Sequence, residues 1–215
     1  MTGDGIPEWA ETLANSLLKA LRERDPYTYG HCYRVARNSK LLAKSAGLSE
    51  KEQKIIEFSS LFHDLGKIGI PDRILLKPGK LTKEEETIMK THPTKSAEII
   101  EPLTMIPFFK SLIPGILYHH ERIDGKGYPH GITGNRIPLM ARVILIADTF
   151  DAITTNRPYR KSRGNEFAYK ELKQFSGRQF DEKLVEIFVK AHPQWGDLEE
   201  EITESFVATH FKRAA

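Results

Sequence analysis

Five of the eight histidines in this 215-residue chain stand where the sequence reads as a helix end or as a helix face beside a break: His31, His63, His92, His119 and His120. Two doublets, His63-Asp64 and His119-His120, hold adjacent ligand-type side chains. Imidazole with carboxylate is a donor set for Fe, Mn or Zn, whereas oxygen-only sets suit Mg or Ca. Cys32 is the only cysteine, so no thiolate zinc site can form within the chain. Neighbouring helical residues point about 100° apart. Each doublet is therefore poorly arranged to chelate one ion by itself and better arranged to ligate two neighbouring ions, or one ion with a carboxylate bridging to the next. Paired-ion sites acting on phosphoesters hold their ions about 3.5–4 Å apart and clamp the attacking and leaving oxygens. Asp64 is the candidate bridge, because a carboxylate has two oxygens and a neutral imidazole one free nitrogen. Asp148 lies in the most apolar stretch, LMARVILIADTFDAI. A carboxylate buried there without compensation would be costly or protonated, and a cation would remove that penalty.

Each residue has a plainer reading. A lone histidine beside a helix end is usually a surface or capping group. Asp64 could be a solvated residue, and Asp148 could pair with Arg142 or cap a helix. His130, His192 and His210 are left with such readings. The metal reading rests on the whole set occurring together.

The elements that must position these groups read as helices. Apolar residues Trp9, Leu13, Leu17 and Leu21 recur every four positions between about Glu8 and Leu21. A second helix runs from His31 to Ala46, with Gly47 as its stop. Ser49 and Glu52 form a capping box that opens a helix through Phe62. Gly66, Gly69 and Pro71 break the chain just after His63-Asp64. Thr82 and Glu85 form a second box, and His92-Pro93 interrupts the run that follows. Ile106–His120 reads as a helix kinked at Pro114. The glycine- and proline-rich stretch from Glu121 to Pro138 must be a long loop, and loops of that length inside compact folds are often functional. VILIA within 139–153 could be a buried strand, but its run length and flanks favour a buried helix. Glu166–Phe175 and Asp181–Ala191 close the fold, and the tail beyond Trp195 packs at its edge. The expectation is an all-α, single-domain chain over 1–215, with 195–215 as an extension.

Composition narrows the function classes. A net charge of +3 and a pI near 8.8 are too mild for a nucleic-acid polymer as partner. No apolar run reaches the roughly 20 residues that cross a bilayer, and the N-terminus lacks the pattern of a secretory signal. With one cysteine no internal disulfide is possible. A reducing, cytoplasmic setting is expected.

The segments HDLGKIGIPDRILLKPGKLT, YHHERIDGKGYP and ARVILIADTFDAITTNRPYR resemble the HD-GYP family, a branch of the HD metal-dependent phosphohydrolases. The resemblance runs from about Leu18 to Phe188. It implies a compact helical bundle whose long loop carries the Gly-Tyr-Pro tripeptide. It also implies hydrolysis of cyclic di-GMP to pGpG and, in some members, to GMP. Carried over position by position, it implies that His31, His63, Asp64 and Asp148 hold one divalent ion. Asp64, His92, His119 and His120 would hold a second, with iron or manganese preferred. Some members hold a third ion through a glutamate four residues before the first histidine. Tyr27 stands there, so two ions are expected. Glycine is frequent four residues after the HP histidine; here it is Ser96, a small residue expected to matter little.

The reaction implied is in-line attack of a hydroxide bridging the two ions on one phosphorus, with Asp64 and Lys67 as catalytic residues. Lys67 would neutralise the phosphate or assist the leaving ribose oxygen. Tyr128, in the Gly-Tyr-Pro loop, and Arg157 and Arg160 are substrate-contact candidates, arginine being suited to phosphate and guanine through its planar fork. Protein partners, for example a diguanylate cyclase, could use the loop, and a sensor or receiver domain would lie outside this chain. Two other readings stay open: an HD-type hydrolase of another cyclic dinucleotide or nucleotide, and a non-catalytic signalling module that keeps the fold.

Overall fold

The computed structural model describes residues 9–156 and 161–196. Ten α-helices and short 3-10 turns make up its regular structure, with no strand among the described residues. In order they are α1 (Ala10–Arg24), α2 (Pro26–Ser45), α3 (Glu50–Phe62), α4 (Asp72–Leu75), α5 (Lys83–Met89), α6 (His92–Ile100), α7 (Pro107–Tyr118), α8 (Leu139–Thr154), α9 (Asn165–Gln174) and α10 (Glu182–Ala191).

Local chemistry explains the boundaries. Helix α2 begins five residues before the expected His31, because Asp25 caps it by accepting the Thr28 N–H and Pro26 occupies the first turn. It ends in a Schellman motif: Leu48 N–H bonds the Ala43 carbonyl and Gly47 N–H the Lys44 carbonyl, with Gly47 at φ +78°. Both capping boxes are present, Ser49 with Glu52 and Thr82 with Glu85. Pro93 sits in the first turn of α6, where its missing N–H is harmless. Pro114 lies inside α7, which runs on to Tyr118. The VILIA stretch is helical, and nine residues of α8 are buried.

Two apolar clusters hold the bundle. Leu18, Leu21, Phe58, Phe62, Phe109 and Leu112 join α1, α3 and α7. Leu42, Val143, Ile146, Phe150, Leu172 and Phe188 join α2, α8, α9 and α10. Each such side chain, fully buried, contributes about 1.5–3 kcal/mol. Val35, Ile144 and Ala147 form a small third group between α2 and α8. Helices α2 and α8 thus present His31 and Asp148 to one side, while the ends of α3 and α7 and the start of α6 present the other histidines. No described helix is long and apolar enough to cross a membrane.

Candidate metal centre

Three of the histidines are oriented by the same device. His63 and His119 are the C-caps of α3 and α7, and His92 opens α6. In each, Nδ1 lies on the carbonyl three residues back: His63 on Ser60 at 2.6 Å, His92 on Met89 at 2.8 Å and His119 on Ile116 at 2.7 Å. A carbonyl only accepts, so Nδ1 carries the proton and Nε2 is left as a bare lone pair. That is the tautomer a metal ligand needs.

The bare nitrogens point at one another and at Asp64. His92 Nε2 and His119 Nε2 are 3.3 Å apart. Asp64 Oδ2 lies 3.4 Å from His31 Nε2 and 3.4 Å from His63 Nε2, while Oδ1 lies 3.1 Å from His92 Nε2. Asp148 Oδ1 is 3.2 Å from His31 Nε2. His63 Nε2 and Asp64 Oδ1 are buried without a hydrogen-bond partner. His31 donates to the carboxylates, but the bare nitrogens of His63, His92 and His119 face one another and Asp64 across about 3 Å in a buried site. Such lone pairs repel unless a cation lies among them, and leaving such groups unsatisfied costs about 1–3 kcal/mol each. Two groups have ligand atoms within 4.8 Å of one another: His31, His63 and Asp64, and His92, His119 and His120. These residues fit divalent metal.

The structure brings the two members of each doublet within reach of one another. His63 and Asp64 fall in one group, and His119 and His120 in the other. Both doublets lie at helix C-termini, where the chain has left the helix, with Asp64 at φ −101° and ψ 3°. Side chains of neighbouring residues can converge there. Asp148 is also less enclosed than its apolar surroundings imply, with 14% of its side chain exposed. It does not pair with Arg142, whose Nη1 bonds Asp181 at 2.5 Å.

Charge and burial set the protonation. Burial, together with the neighbouring His92, pushes His120 down to about 3. Burial and adjacent histidines also lower His119, and burial lowers His63. These rings are neutral at pH 7 and free to ligate. Burial would lower His31 too, but bonds to Asp148, Asp151 and Asp64 outweigh it and raise it well above 6.5. Burial would raise Asp64, but Lys67, His63, His31 and His92 together hold it well below the usual carboxylate range. Lys67 Nζ bonds Asp64 Oδ2 at 2.6 Å.

Sequence reasoning passed over two contributors, Asp151 and Glu121, and named a third, Ser96, without giving it a role. Asp151, one turn beyond Asp148 on α8, accepts from His31 Nδ1 at 2.7 Å and from Arg34 Nε at 2.6 Å. The i,i+3 spacing from Asp148 was the available signal. Glu121, buried, accepts the His130 and Gly131 N–H groups and folds the long loop on itself. Ser96 corrects the expectation that it matters little: its fully buried hydroxyl bonds both the His63 carbonyl and the Gly66 N–H, each at 2.7 Å.

The loop seals one side. Gly127 allows the chain to fold flat on the backbone of His120 to Arg122, because a Cβ there would lie 2.4 Å from Arg122 N. Tyr128 stacks on His120 at 4.7 Å and donates its N–H to the His120 carbonyl. A cleft of about 320 Å³ opens over the site, lined by Tyr27, Lys67, Leu76, Met89, His120 and Tyr128 among others. Arg157 and Arg160 lie outside the described residues.

Comparison with known proteins identifies the family. A family model described as the HD domain matches residues 15–184. The cyclic di-GMP phosphodiesterase response regulator RpfG of Xanthomonas campestris pv. campestris is 41% identical over 86% of this chain and 48% of its own length. The 3'3'-cGAMP-specific phosphodiesterase 2 of Vibrio cholerae is 37% identical over 86% of this chain and 35% of its own. The chain thus spans half or less of these curated relatives. Among solved structures, Bd1817, an HDG"Y"P protein from Bdellovibrio bacteriovorus, aligns with a TM-score of 0.61 at 19% identity, covering 76% of this chain and 51% of that one. Because the family match takes in every helix that brings a histidine or aspartate to the cleft, the chain belongs to the HD domain family, within its HD-GYP branch.

Proposed function

We propose that this chain is a cyclic di-GMP phosphodiesterase that opens the dinucleotide to pGpG, with further hydrolysis to GMP, at a site holding two divalent ions. One observation carries the reading: the two oxygens of Asp64 face different histidine sets, Oδ2 toward His31 and His63 and Oδ1 toward His92. A carboxylate so placed could serve both ions. His31, His63, Asp64 and Asp148 would hold one ion, and Asp64, His92, His119 and His120 the other. Mixed imidazole and carboxylate donors suit iron, manganese or zinc, and the resemblance to the HD-GYP family implies iron or manganese among them. Bound ions of this kind supply an activated water and offset charge on the phosphate.

The chain's own groups do the rest. Neutral His63, His119 and His120 keep their lone pairs for ligation. Lys67 lines the cleft beside Asp64 as an ammonium and can meet a substrate phosphate or the leaving oxygen. Tyr128 holds His120 by stacking and walls the cleft against water. Arg157 and Arg160 remain candidates for phosphate and guanine contacts. Two ions rather than three follow from Tyr27, which stacks on His31 and offers no carboxylate. The nearby Asp25 is committed to Thr28, with Oδ1 accepting its N–H and Oδ2 its hydroxyl. Such a substrate places the reaction in the cytoplasm, and the outer face of the Gly-Tyr-Pro loop is the surface for a partner such as a diguanylate cyclase.

The test is anaerobic incubation of Fe(II)- or Mn(II)-loaded protein with cyclic di-GMP, with products separated by chromatography. Absence of pGpG and GMP with both metals would refute the reading. A second substrate, 3'3'-cGAMP, is favoured by the Vibrio relative. The same assay run with both dinucleotides decides base preference.

A further inference from the structure

We propose that Ser96 is a positioning residue that sets the spacing between the two halves of the metal centre, and thereby the occupancy of the ion held by His92. This rests on the two-ion reading above. His63 and Asp64 come from the end of α3, and His92 from the start of α6. The two segments meet at one place. His63 and Gly66 stand three residues apart, the spacing at which a tight turn bonds carbonyl to N–H directly. Here the Ser96 hydroxyl stands between them, donating to the His63 carbonyl and accepting from Gly66 N–H, each at 2.7 Å. The turn that carries Asp64 is held open by a side chain from α6.

The backbones also touch there. A Cβ on Gly66 would lie 2.2 Å from the His92 carbonyl oxygen and 2.5 Å from Ser96 N. No side chain separates turn from helix, so the hydroxyl fixes their relative position within tenths of an ångström. The 3.1 Å approach of Asp64 Oδ1 to His92 Nε2 crosses this junction. The approach of Asp64 Oδ2 to His63 lies within the turn. His31 and Asp148 arrive from α2 and α8, which Ser96 does not touch. Removing the hydroxyl leaves two buried backbone groups without partners, lets the turn close on itself, and moves Asp64 relative to the one ligand α6 supplies.

The test is stepwise Mn(II) titration by calorimetry, with EPR spectra at one and two equivalents, on wild type, Ser96→Ala and Ser59→Ala. Ser59 is a matched control, a fully buried serine on α3 whose hydroxyl donates to the Leu112 carbonyl of α7 at 3.2 Å and does not bridge the turn to α6. Ser96→Ala is expected to keep the first ion within about twofold and to weaken the second about 10-fold or more, in the range found for groups that orient metal ligands. Its spectrum at two equivalents should show the six-line signal of isolated Mn(II), where wild type and Ser59→Ala show a spin-coupled pair. Should Ser96→Ala fail to fold by circular dichroism, Ser96→Cys, which keeps a weaker donor and acceptor, should show the same selective loss to a smaller degree. Wild-type affinities and a coupled spectrum in the folded Ser96 variant would overturn the proposal, as would equal weakening of both ions. If wild type itself takes up one ion only, the two-ion reading fails as well, so the two failures are distinguishable.

Discussion

Asp151→Asn is a sharp perturbation because it changes one atom and leaves the shape. Asp151 Oδ1 accepts from Arg34 Nε at 2.6 Å and from the Thr155 hydroxyl at 3.2 Å. Oδ2 accepts from His31 Nδ1 at 2.7 Å and from Arg34 Nη2 at 3.0 Å. An amide has one acceptor oxygen, and a guanidinium has no acceptor at all. The shorter Arg34 contact keeps that oxygen at the Oδ1 position, so the amide nitrogen faces His31 Nδ1. His31 must then receive a hydrogen bond at Nδ1 and carry its proton on Nε2, the nitrogen that faces Asp64 and Asp148. Its lone pair is lost to the metal. Loss of such an orienting group weakens metal affinity about 10- to 100-fold, or about 1.4–2.7 kcal/mol. One Arg34 N–H also loses its acceptor, which destabilises the metal-free fold by about 1–3 kcal/mol. Calorimetric Mn(II) titration should show the first ion weakened, and 15N spectra of the imidazole should show Nδ1 deprotonated, with the proton kept on Nε2. Wild-type affinity for the first ion, with Nδ1 still protonated, would refute the reasoning.

Two other substitutions separate binding from turnover. Lys67→Met removes the ammonium that shares Asp64 Oδ2. It should leave metal affinity equal or tighter while lowering kcat about 100-fold or more, the scale of losing one charge-stabilising group, as read from metal titration beside product formation. Gly127→Ala places a methyl 2.5 Å from Glu121 Cα and the His120 carbonyl. The loop must lift, which destabilises by about 1–3 kcal/mol; thermal unfolding should register this, and KM should rise as Tyr128 leaves His120.

Helix starts and stops that depend on neighbouring residues were legible in the sequence. Both capping boxes, the Gly47 stop and the break at His92-Pro93 are local devices, and all are present. The start of α2 was harder to see. Its Asp25-Pro26 cap is a standard signal, but Tyr27, Tyr29 and Gly30 dilute the apolar periodicity behind it. The ligand-type residues were readable only as a set: a lone histidine at a helix end is usually a surface or capping group, and their joint occurrence beside breaks is what pointed to metal. What they do to one another was not readable. The convergence of His119 with His120 depends on where α7 stops, to the residue. Arg34 and Asp151 are 117 positions apart, and Ser96 reaches back 33 positions to His63. Such contacts exist only after the helices pack, and residue type alone marks Ser96 as one more small helical residue.

Proton release on metal binding follows from how the metal-free site balances its charge. Three carboxylates, Asp64, Asp148 and Asp151, are held ionised. Lys67 and Arg34 supply two positive charges, each raised by its carboxylate partner against the opposing effect of burial. His31, raised well above 6.5, supplies the third. At pH 7 these three negative and three positive groups balance one another in the metal-free site. Ligation by His31 requires its Nε2 lone pair, so the first ion must displace about one proton. His119 and His120, which would hold the second ion, are already neutral, so that ion displaces few. The sign follows directly: below the raised pKa of His31, affinity for the first ion climbs about tenfold per pH unit, and above it the climb stops. Calorimetry in buffers of different ionisation enthalpy measures the count for each ion. No proton released with the first ion at pH 7, or equal release with both, would show that His31 is not the charge that metal replaces.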